Sequence, residues 1–395
     1  MSTAPSPPSA AHGAVPPWRD VRILRVLAQV AALIIVLAIG LLLWGNLTAS
    51  MTRSQLSFGL DFLDSVAGFE IAESPIAYRA TDTYGRALLV GLLNTLMVSF
   101  VGIVLATLLG IVVGVARLSG NWLVNRVSAG YVEVMRNTPL LVQLVLIYAV
   151  LLQLPRAIDS IVLPGTIYLN QRGLFLPEPV LESAAGSWLA LVALGVAIAI
   201  GARRTATRRT AAGRPARGIS FVGLTALVAL PVVGWAVLGT PISLEPPVLV
   251  GFNFVGGLAL SPEFTALLVG LVIYTAAFIG EVVRGGIQAV RRGQVEAALA
   301  LGLTPGQTLR LVVFPQALRI IVPPLTSQYL NLAKNSSLAV VIGYPELFNI
   351  SRTAASQTGQ PVAVIVIVMG AYLTISLGTS LLMNIYNRHV QVREV

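Results

Sequence analysis

Few side chains in this sequence of 395 residues have the chemistry of a catalytic or metal-binding site. The chain has no cysteine, and its two histidines, His12 and His389, stand close to the two ends of the sequence. Disulfides, zinc–thiolate sites and thiol nucleophiles are therefore excluded. No H-E-x-x-H or G-x-S-x-G motif is present, and the only lysine follows Ala333, so no phosphate-binding G-x-x-x-x-G-K-[ST] loop exists. We expect no catalytic residue and no metal ligand.

Two short segments repeat the spacing Glu-x-x-Arg, Glu133 with Arg136 and Glu281 with Arg284. Residues three apart are neighbours on a helix, so each segment can form an intrahelical ion pair. For Glu281 and Arg284 this is the favoured interpretation. The alternative is a network in which Arg136 pairs with Glu281 and the four side chains act as a gate.

Lys334 is the only lysine and lies in the apolar segment 321–343. An ammonium group inside a membrane costs several kcal/mol unless it is paired, hydrated or able to reach the surface. Asn331, Lys334 and Asn335 share one helical face, and Ser336 follows them. We predict that these four residues line a translocation path. The alternative is that Lys334 reaches the outer interface while the other three side chains bind neighbouring helices.

The composition indicates a membrane protein with several spans. Hydrophobic residues make up 56% of the chain and charged residues 11%, with a mean hydropathy of +0.83. A soluble domain has roughly a quarter of its residues charged. Windows of about 20 apolar residues predict eight spans, which are 23–45, 87–116, 139–155, 187–202, 219–240, 264–283, 321–343 and 362–386.

The loop arginines predict that both ends of the chain are cytoplasmic. With that orientation, nineteen arginines lie inside and six outside, as the positive-inside rule requires. The net charge of +10 therefore reflects topology and does not indicate nucleic acid binding. The arginine-rich segment 203–218 is interpreted as a topology anchor that also contacts anionic lipid head groups, with a regulatory or docking role as the alternative.

Small residues recur every four positions in the second span. They are Gly102, Ala106, Gly110 and Gly114. Such a ridge allows two helices to approach closely, so we predict core packing, with a subunit interface as a second possibility.

The segment 296–318 lies between two predicted spans and is too polar to cross a membrane. Glu296 stands near the start of a first short helix, where a carboxylate suits the helix dipole, and Gly302 is placed to end that helix. Thr304, with Pro305 after it and Gln307 three residues on, predicts a capped second helix.

We expect Pro315 to end that second helix, and Pro323 and Pro324 to kink or break the next one. Two short helices joined by a glycine would form a compact element. Such an element fits docking into a partner protein; the alternative is an interfacial amphipathic linker.

These residues resemble a known family. The run Glu296-Ala297-Ala298 followed by Gly302 is similar to the EAA loop of ABC importer transmembrane subunits. Other segments resemble the polar amino-acid permease branch, which takes up histidine, glutamine or glutamate. They are 94-NTLMVSF-100, 117-RLS-119, 131-YVEVMRNTPLLVQL-144, 279-IGEVVRGGIQAVRRGQVEAALALGL-303, 315-PQALRIIVPPL-325 and 334-KNSSLAVVIG-343. They are spread over residues 87–155 and 264–386, which make up about half of the chain.

The resemblance implies an all-α integral membrane protein with the five-helix core of type I ABC importers, here enlarged. It implies ATPase coupling through Glu296, Ala297, Ala298, Gly302, Thr304 and Pro305. The expected organisation is a disordered tail (1–22), an additional span (23–45), an extracytoplasmic loop (46–86), a first core part (87–155), an insertion with two spans (156–262) and a second core part (263–395) that contains the coupling loop (293–318). This long form is similar to general L-amino-acid permease subunits.

The function implied by the resemblance is ATP-driven amino-acid import across a bacterial inner membrane. The expected partners are ABC ATP-binding subunits, a second permease that is related or identical, an extracytoplasmic amino-acid-binding protein and membrane lipid. No cofactor is expected on this chain, because ATP and Mg²⁺ would bind the ATPase. Two alternatives are an ion-coupled secondary amino-acid transporter, which would need an inverted repeat and midplane carboxylates, and a structural membrane protein.

Overall fold

The computed structural model describes residues 21–53 and 59–390. Residues 1–20 of the predicted tail, including His12, lie outside the described residues. The helices are α1 (Val21–Arg53), α2 (Tyr84–Ala116), α3 (Trp122–Asn137), α4 (Leu140–Leu152), α5 (Ala185–Ala211), α6 (Arg217–Leu238), α7 (Pro262–Gln288), α8 (Arg292–Ala300), α9 (Pro305–Thr308), α10 (Phe314–Asn335), α11 (Leu347–Thr358) and α12 (Pro361–Val390). The predicted fold class, a helical membrane protein, is confirmed.

The predicted third span, 139–155, is not a single spanning helix. In the described part of the chain, seven helices are long and apolar enough to cross a membrane, and α3 and α4 form an eighth candidate only as a pair bent by 106°. At 13 residues, α4 is about 20 Å long, short of the roughly 30 Å hydrocarbon core. Pro139 precedes α4 and holds Thr138 in an extended conformation.

Helices α2 and α7 form the centre of the fold, and the ridge of small residues lies between them. A Cβ at Gly110 would lie 2.5 Å from Ile279, and one at Gly114 would lie 2.7 Å from the backbone oxygen of Gly280. A Cβ at Gly102 would lie 3.3 Å from the side chain of Leu332 in α10, a looser approach. The predicted core packing is confirmed. The ridge packs against helices of the same chain and is therefore not available for a subunit interface.

Both central helices begin at a capped terminus. The Thr83 hydroxyl accepts a hydrogen bond from the Arg86 N–H at the start of α2, and the Ser261 hydroxyl accepts one from the Phe264 N–H at the start of α7. The two helices run in the same direction, because Arg117 after α2 contacts Glu281 near the end of α7. We call the end of the bundle with α8 and α9 the α8 end, and the opposite end the sheet end.

Within the described residues, eight short strands occupy the sheet end, a feature that the sequence analysis missed. They are β1 (Ile161–Leu163), β2 (Ile167–Asn170), β3 (Gly173–Leu176), β4 (Glu178–Leu181), β5 (Ile242–Glu245), β6 (Val248–Val250), β7 (Asn253–Val255) and β8 (Leu258–Leu260). The order β1-β2-β3-β8 forms an antiparallel sheet, and β4-β5 and β6-β7 form two further pairs. The segments before α5 and after α6 therefore fold together, while α5 and α6 pack mainly against each other.

Candidate coupling site and translocation path

The joint between α8 and α9 is built by Gly302. Its φ of +81° is left-handed, a conformation that glycine adopts without steric cost. The Gly302 N–H donates to the Leu299 carbonyl at 2.9 Å, and the Leu303 N–H donates to the Ala298 carbonyl at 3.2 Å. These two bonds define a Schellman motif. The local sequence alone thus fixes the angle at which the chain leaves α8.

The start of α9 is fixed by a capping box, as predicted. The Gln307 N–H donates to the Thr304 hydroxyl at 3.3 Å, and the Thr304 N–H donates to the Gln307 side-chain oxygen at 2.9 Å. Pro305 occupies the first helical position, where its missing N–H costs nothing. Both sides of the joint therefore have fixed geometry.

The expectation that Pro315 ends the second helix is wrong. A π-helical turn, Leu309–Val313, follows α9 and leads directly into α10, of which Pro315 is the second residue. A π turn shifts the hydrogen-bond register, so the proline follows it without breaking the helix. Pro323 and Pro324 likewise lie inside α10 without interrupting it. The element after the joint is therefore the first part of a span and not a detached helix.

The predicted coupling residues form one exposed surface at the α8 end. Glu296, Ala297, Gly302, Thr304 and Pro305 are exposed, whereas Ala298 is buried at 3% exposure. The placement of Glu296 near the helix dipole is wrong, because α8 begins at Arg292 and Glu296 lies in its second turn. Its carboxylate points to solvent and takes no part in capping α8.

Three of the four predicted path residues share a face of α10. Asn331 and Lys334 are exposed and Asn335 is half-buried, but Ser336 is fully buried and its hydroxyl donates to the Ala333 carbonyl at 2.8 Å. Lys334 lies in the last turn of α10, just before the chain tightens into a 3₁₀ segment at Ser336–Val341. A cation there also suits the C-terminal end of the helix dipole.

Glu281 is the centre of an ion-pair network at the α8 end. Its carboxylate contacts Arg284, three residues on, as the spacing predicted, and it also contacts Arg117 at the end of α2. Burial lowers the pKa of Arg117, and the nearby charges of Arg284 and Arg136 lower it further. Arg136 instead lies 5.3 Å from the ring centroid of Phe278. Arg117 therefore takes the place that the alternative hypothesis gave to Arg136.

Comparison with known proteins identifies the family. Residues 106–392 match the model for the binding-protein-dependent transport system inner membrane component. The chain belongs to this family. It is thus a permease subunit and not an enzyme.

Two relatives match the permease over nearly its whole length. The general L-amino acid transport system permease protein AapQ of Rhizobium johnstonii is 45% identical over 92% of this chain and 91% of its own. The glutamate/glutamine/aspartate/asparagine transport system permease protein BztB of Rhodobacter capsulatus is 38% identical over 100% of both chains. A crystal structure of an amino acid ABC transporter with histidines is similar at 23% identity, with a TM-score of 0.47, over 78% of this chain and 95% of its own.

A double charge reversal tests the partner of Glu281 in the permease. Glu281→Arg places a third guanidinium beside Arg117 and Arg284, and we expect a lower melting temperature in detergent. The loss is about 1 kcal/mol, because the side chains are 20–28% exposed and water screens the pair. Adding Arg117→Glu should recover part of this loss, whereas adding Arg136→Glu should not. Recovery with Arg136→Glu alone would contradict the observed pairing.

A buried carboxylate at the sheet end of the permease escaped sequence analysis. Glu346 is fully buried and caps α11, where it accepts hydrogen bonds from the Phe348 and Asn349 N–H groups at 2.9 and 2.7 Å. The Tyr372 hydroxyl also donates to it at 3.0 Å. Burial raises the pKa of Glu346, against the opposing effect of these hydrogen bonds. The sequence signal for this cap was an acidic residue directly before an amphipathic run. The side-chain oxygens of Asp and Asn commonly cap helices in the same way.

Proposed function

We propose that this chain is one transmembrane subunit of an ATP-driven importer that takes up polar or broad-range L-amino acids from an extracytoplasmic binding protein. The observation that carries the proposal is the exposed α8–α9 joint, whose second helix continues into α10. A docking element that is continuous with a span has the geometry of a lever. Amino acids are the substrates in the names of both relatives given above, and both alignments include the insertion.

The orientation that we propose places the α8 end and both termini in the cytoplasm of a bacterial inner membrane. The arginine distribution supports it. Five arginines are exposed in the last part of α5 and in the connection to α6: Arg203, Arg204, Arg208, Arg209 and Arg214. At the inner surface each contributes about 1 kcal/mol of attraction to anionic lipid head groups. Membrane lipid is therefore a partner of this arginine-rich segment in our proposal.

Two ATP-binding subunits would bind ATP and Mg²⁺ and dock at the α8 end. A second permease, related or identical, would complete the path between the two transmembrane subunits. When the ATPases close on ATP, the joint at Gly302 moves and carries α10 with it, because no flexible segment separates them. The face of α10 that carries Asn331, Lys334 and Asn335 then becomes accessible from the opposite side of the membrane. Hydrolysis resets the permease.

Transport by the reconstituted complex tests this function. We expect the permease, its ATPase and its binding protein in proteoliposomes to accumulate labelled amino acid only with ATP on the cytoplasmic side. Uptake should persist when a protonophore and an ionophore remove the ion gradients. Uptake by the permease alone, driven by a proton or sodium gradient, would favour the secondary-transporter alternative and overturn the proposal.

The substitution Lys334→Met tests the path against the structural alternative. It leaves an unbranched side chain only one atom shorter and removes one charged contact worth roughly 1.5 kcal/mol, so we expect uptake to fall by about a factor of ten. The assembled complex should remain intact in size-exclusion chromatography, and Lys334→Arg should retain more uptake. If the methionine variant assembles and keeps the full rate of uptake, Lys334 only reaches the outer interface and does not line a path.

A further inference from the structure

A cavity of about 420 Å³ opens at the α8 end, between the end of α2, helix α3 and the last part of α7. Its walls carry Arg117, Glu133, Arg136 and Glu281, and the ring of Phe278 forms part of its apolar surface. Ligand pockets in proteins measure about 300–1,000 Å³. The cavity therefore has room for a small molecule but not for a large one.

Positive charge is in excess on one side of this cavity. Arg117 and Arg284 both contact the carboxylate of Glu281, and Arg136 lies close enough to Arg117 for its charge to lower the pKa of Arg117. Arg136 forms no ion pair among the described residues. Its guanidinium group lies over the face of the Phe278 ring. A planar guanidinium held against an aromatic ring is well placed to bind a carboxylate through two hydrogen bonds.

Negative charge is available beside Arg136, on the wall of the cavity that α3 forms. Glu133 precedes Arg136 by three residues on α3 and also lines the cavity, so the two charged groups project from one face of the helix. In the part of the chain that the structure describes, Glu133 forms no salt bridge. The cavity thus presents one unpaired acceptor and one unpaired donor, which together match a small zwitterion.

We propose that this cavity binds a free α-amino acid, with its carboxylate on Arg136 and Arg117 and its ammonium group on Glu133. The choice of ligand rests on the proposed function, which puts the cavity on the side where imported amino acid is released. Occupancy would connect α3 to the Arg117–Glu281 contact between α2 and α7. Amino acid that accumulates inside would then slow further import.

Equilibrium binding to the assembled complex, purified without the binding protein, tests this site. Labelled glutamine and labelled arginine serve as probes, in case one side-chain class is excluded. We expect the wild type to bind at least one of them, and Arg136→Gln and Glu133→Gln each to weaken binding about tenfold, the loss of one charged hydrogen bond. Arg126→Gln, on the same helix but outside the cavity, should bind like the wild type. Arg136→Lys keeps the charge and should lose less than Arg136→Gln.

The ligand's two charged groups can be tested separately. The decarboxylated amine should lose its sensitivity to Arg136→Gln, and the corresponding hydroxy acid should lose its sensitivity to Glu133→Gln. The ATPase rate of the wild-type complex should fall when amino acid is added on the cytoplasmic side, and Arg136→Gln should need about ten times more amino acid for the same effect.

The outcomes separate this inference from the proposed function. If wild-type proteoliposomes import amino acids but binding is unchanged in both cavity variants, or is absent, the cavity is not a site and the importer proposal stands. If import fails while cavity-dependent binding persists, the importer proposal fails and the site remains. Native mass spectrometry that finds an ethanolamine phospholipid bound, which amino acid does not displace, would also overturn this inference.

Discussion

Replacing Gly302 by valine is expected to reduce ATP-driven uptake about tenfold while leaving the permease in the membrane. The φ of +81° at this position costs a residue with a side chain about 1–2 kcal/mol, and a β-branched residue suffers most. A cost of about 1.4 kcal/mol lowers the population of the present joint conformation tenfold relative to others. The joint would therefore leave its present angle in most molecules. ATP hydrolysis would then move α10 less. Uptake and ATPase rate should be measured on the same proteoliposomes.

Two further variants isolate the cause. Gly293→Val makes the same substitution in α8, where the glycine has no positive φ and a Cβ meets no atom within 4 Å, so it should retain most of the uptake. Gly302→Asn should recover much of the loss, because asparagine tolerates the left-handed conformation. If Gly302→Val and Gly293→Val behave alike, the backbone conformation of the joint is not what couples the subunits.

The second large effect is expected at Gly114. A Cβ there would lie 2.7 Å from the backbone oxygen of Gly280 and 2.7 Å from the Cβ of Val283, neither of which can rotate away. Gly114→Leu should therefore separate α2 from α7 at a cost of more than about 3 kcal/mol, and little folded permease should be recovered from membranes. Gly114→Ala should fold but melt at a lower temperature.

The matched control for Gly114 is Gly370→Leu in α12. Gly370 is also inside a predicted span, but it is exposed, and a Cβ at this position would meet no atom within 4 Å. The yield of this variant and its melting temperature in detergent should stay close to those of the wild type. A similar loss at both positions would mean that α2 and α7 are not packed through this ridge.

Local signals made the joint predictable. The left-handed glycine, the capping box and the proline at the first helical position each depend on residues within five positions of one another, so the sequence alone was sufficient for Gly302, Thr304 and Pro305. The ridge on α2 was also predictable, because its four-residue period is visible within a single segment of the sequence. Its partner was not, since Gly280 and Val283 are more than 160 positions further along the chain.

The failures involve contacts between distant segments or competing turns. Arg117 entered the sequence analysis as a topology signal and as part of the segment 117–119, but nothing local to it points to Glu281. Pro315 would end an ordinary helix, but the π turn before it changes the hydrogen-bond register. The strands at the sheet end have only three or four residues each, which is too short for an alternating pattern to stand out.

Cross-linking from the joint is the most direct measurement of the central claim, which is that the exposed α8–α9 surface docks a separate ATPase. The chain has no cysteine, so a thiol at the exposed position Ala297 is unique in it. We predict that Ala297→Cys, treated with a short photoactivated thiol reagent in native membranes, becomes linked to an ATP-binding chain, while Thr166→Cys at the sheet end does not. Absence of an ATP-binding chain from the Ala297→Cys product, or equal linkage from both positions, would contradict the account.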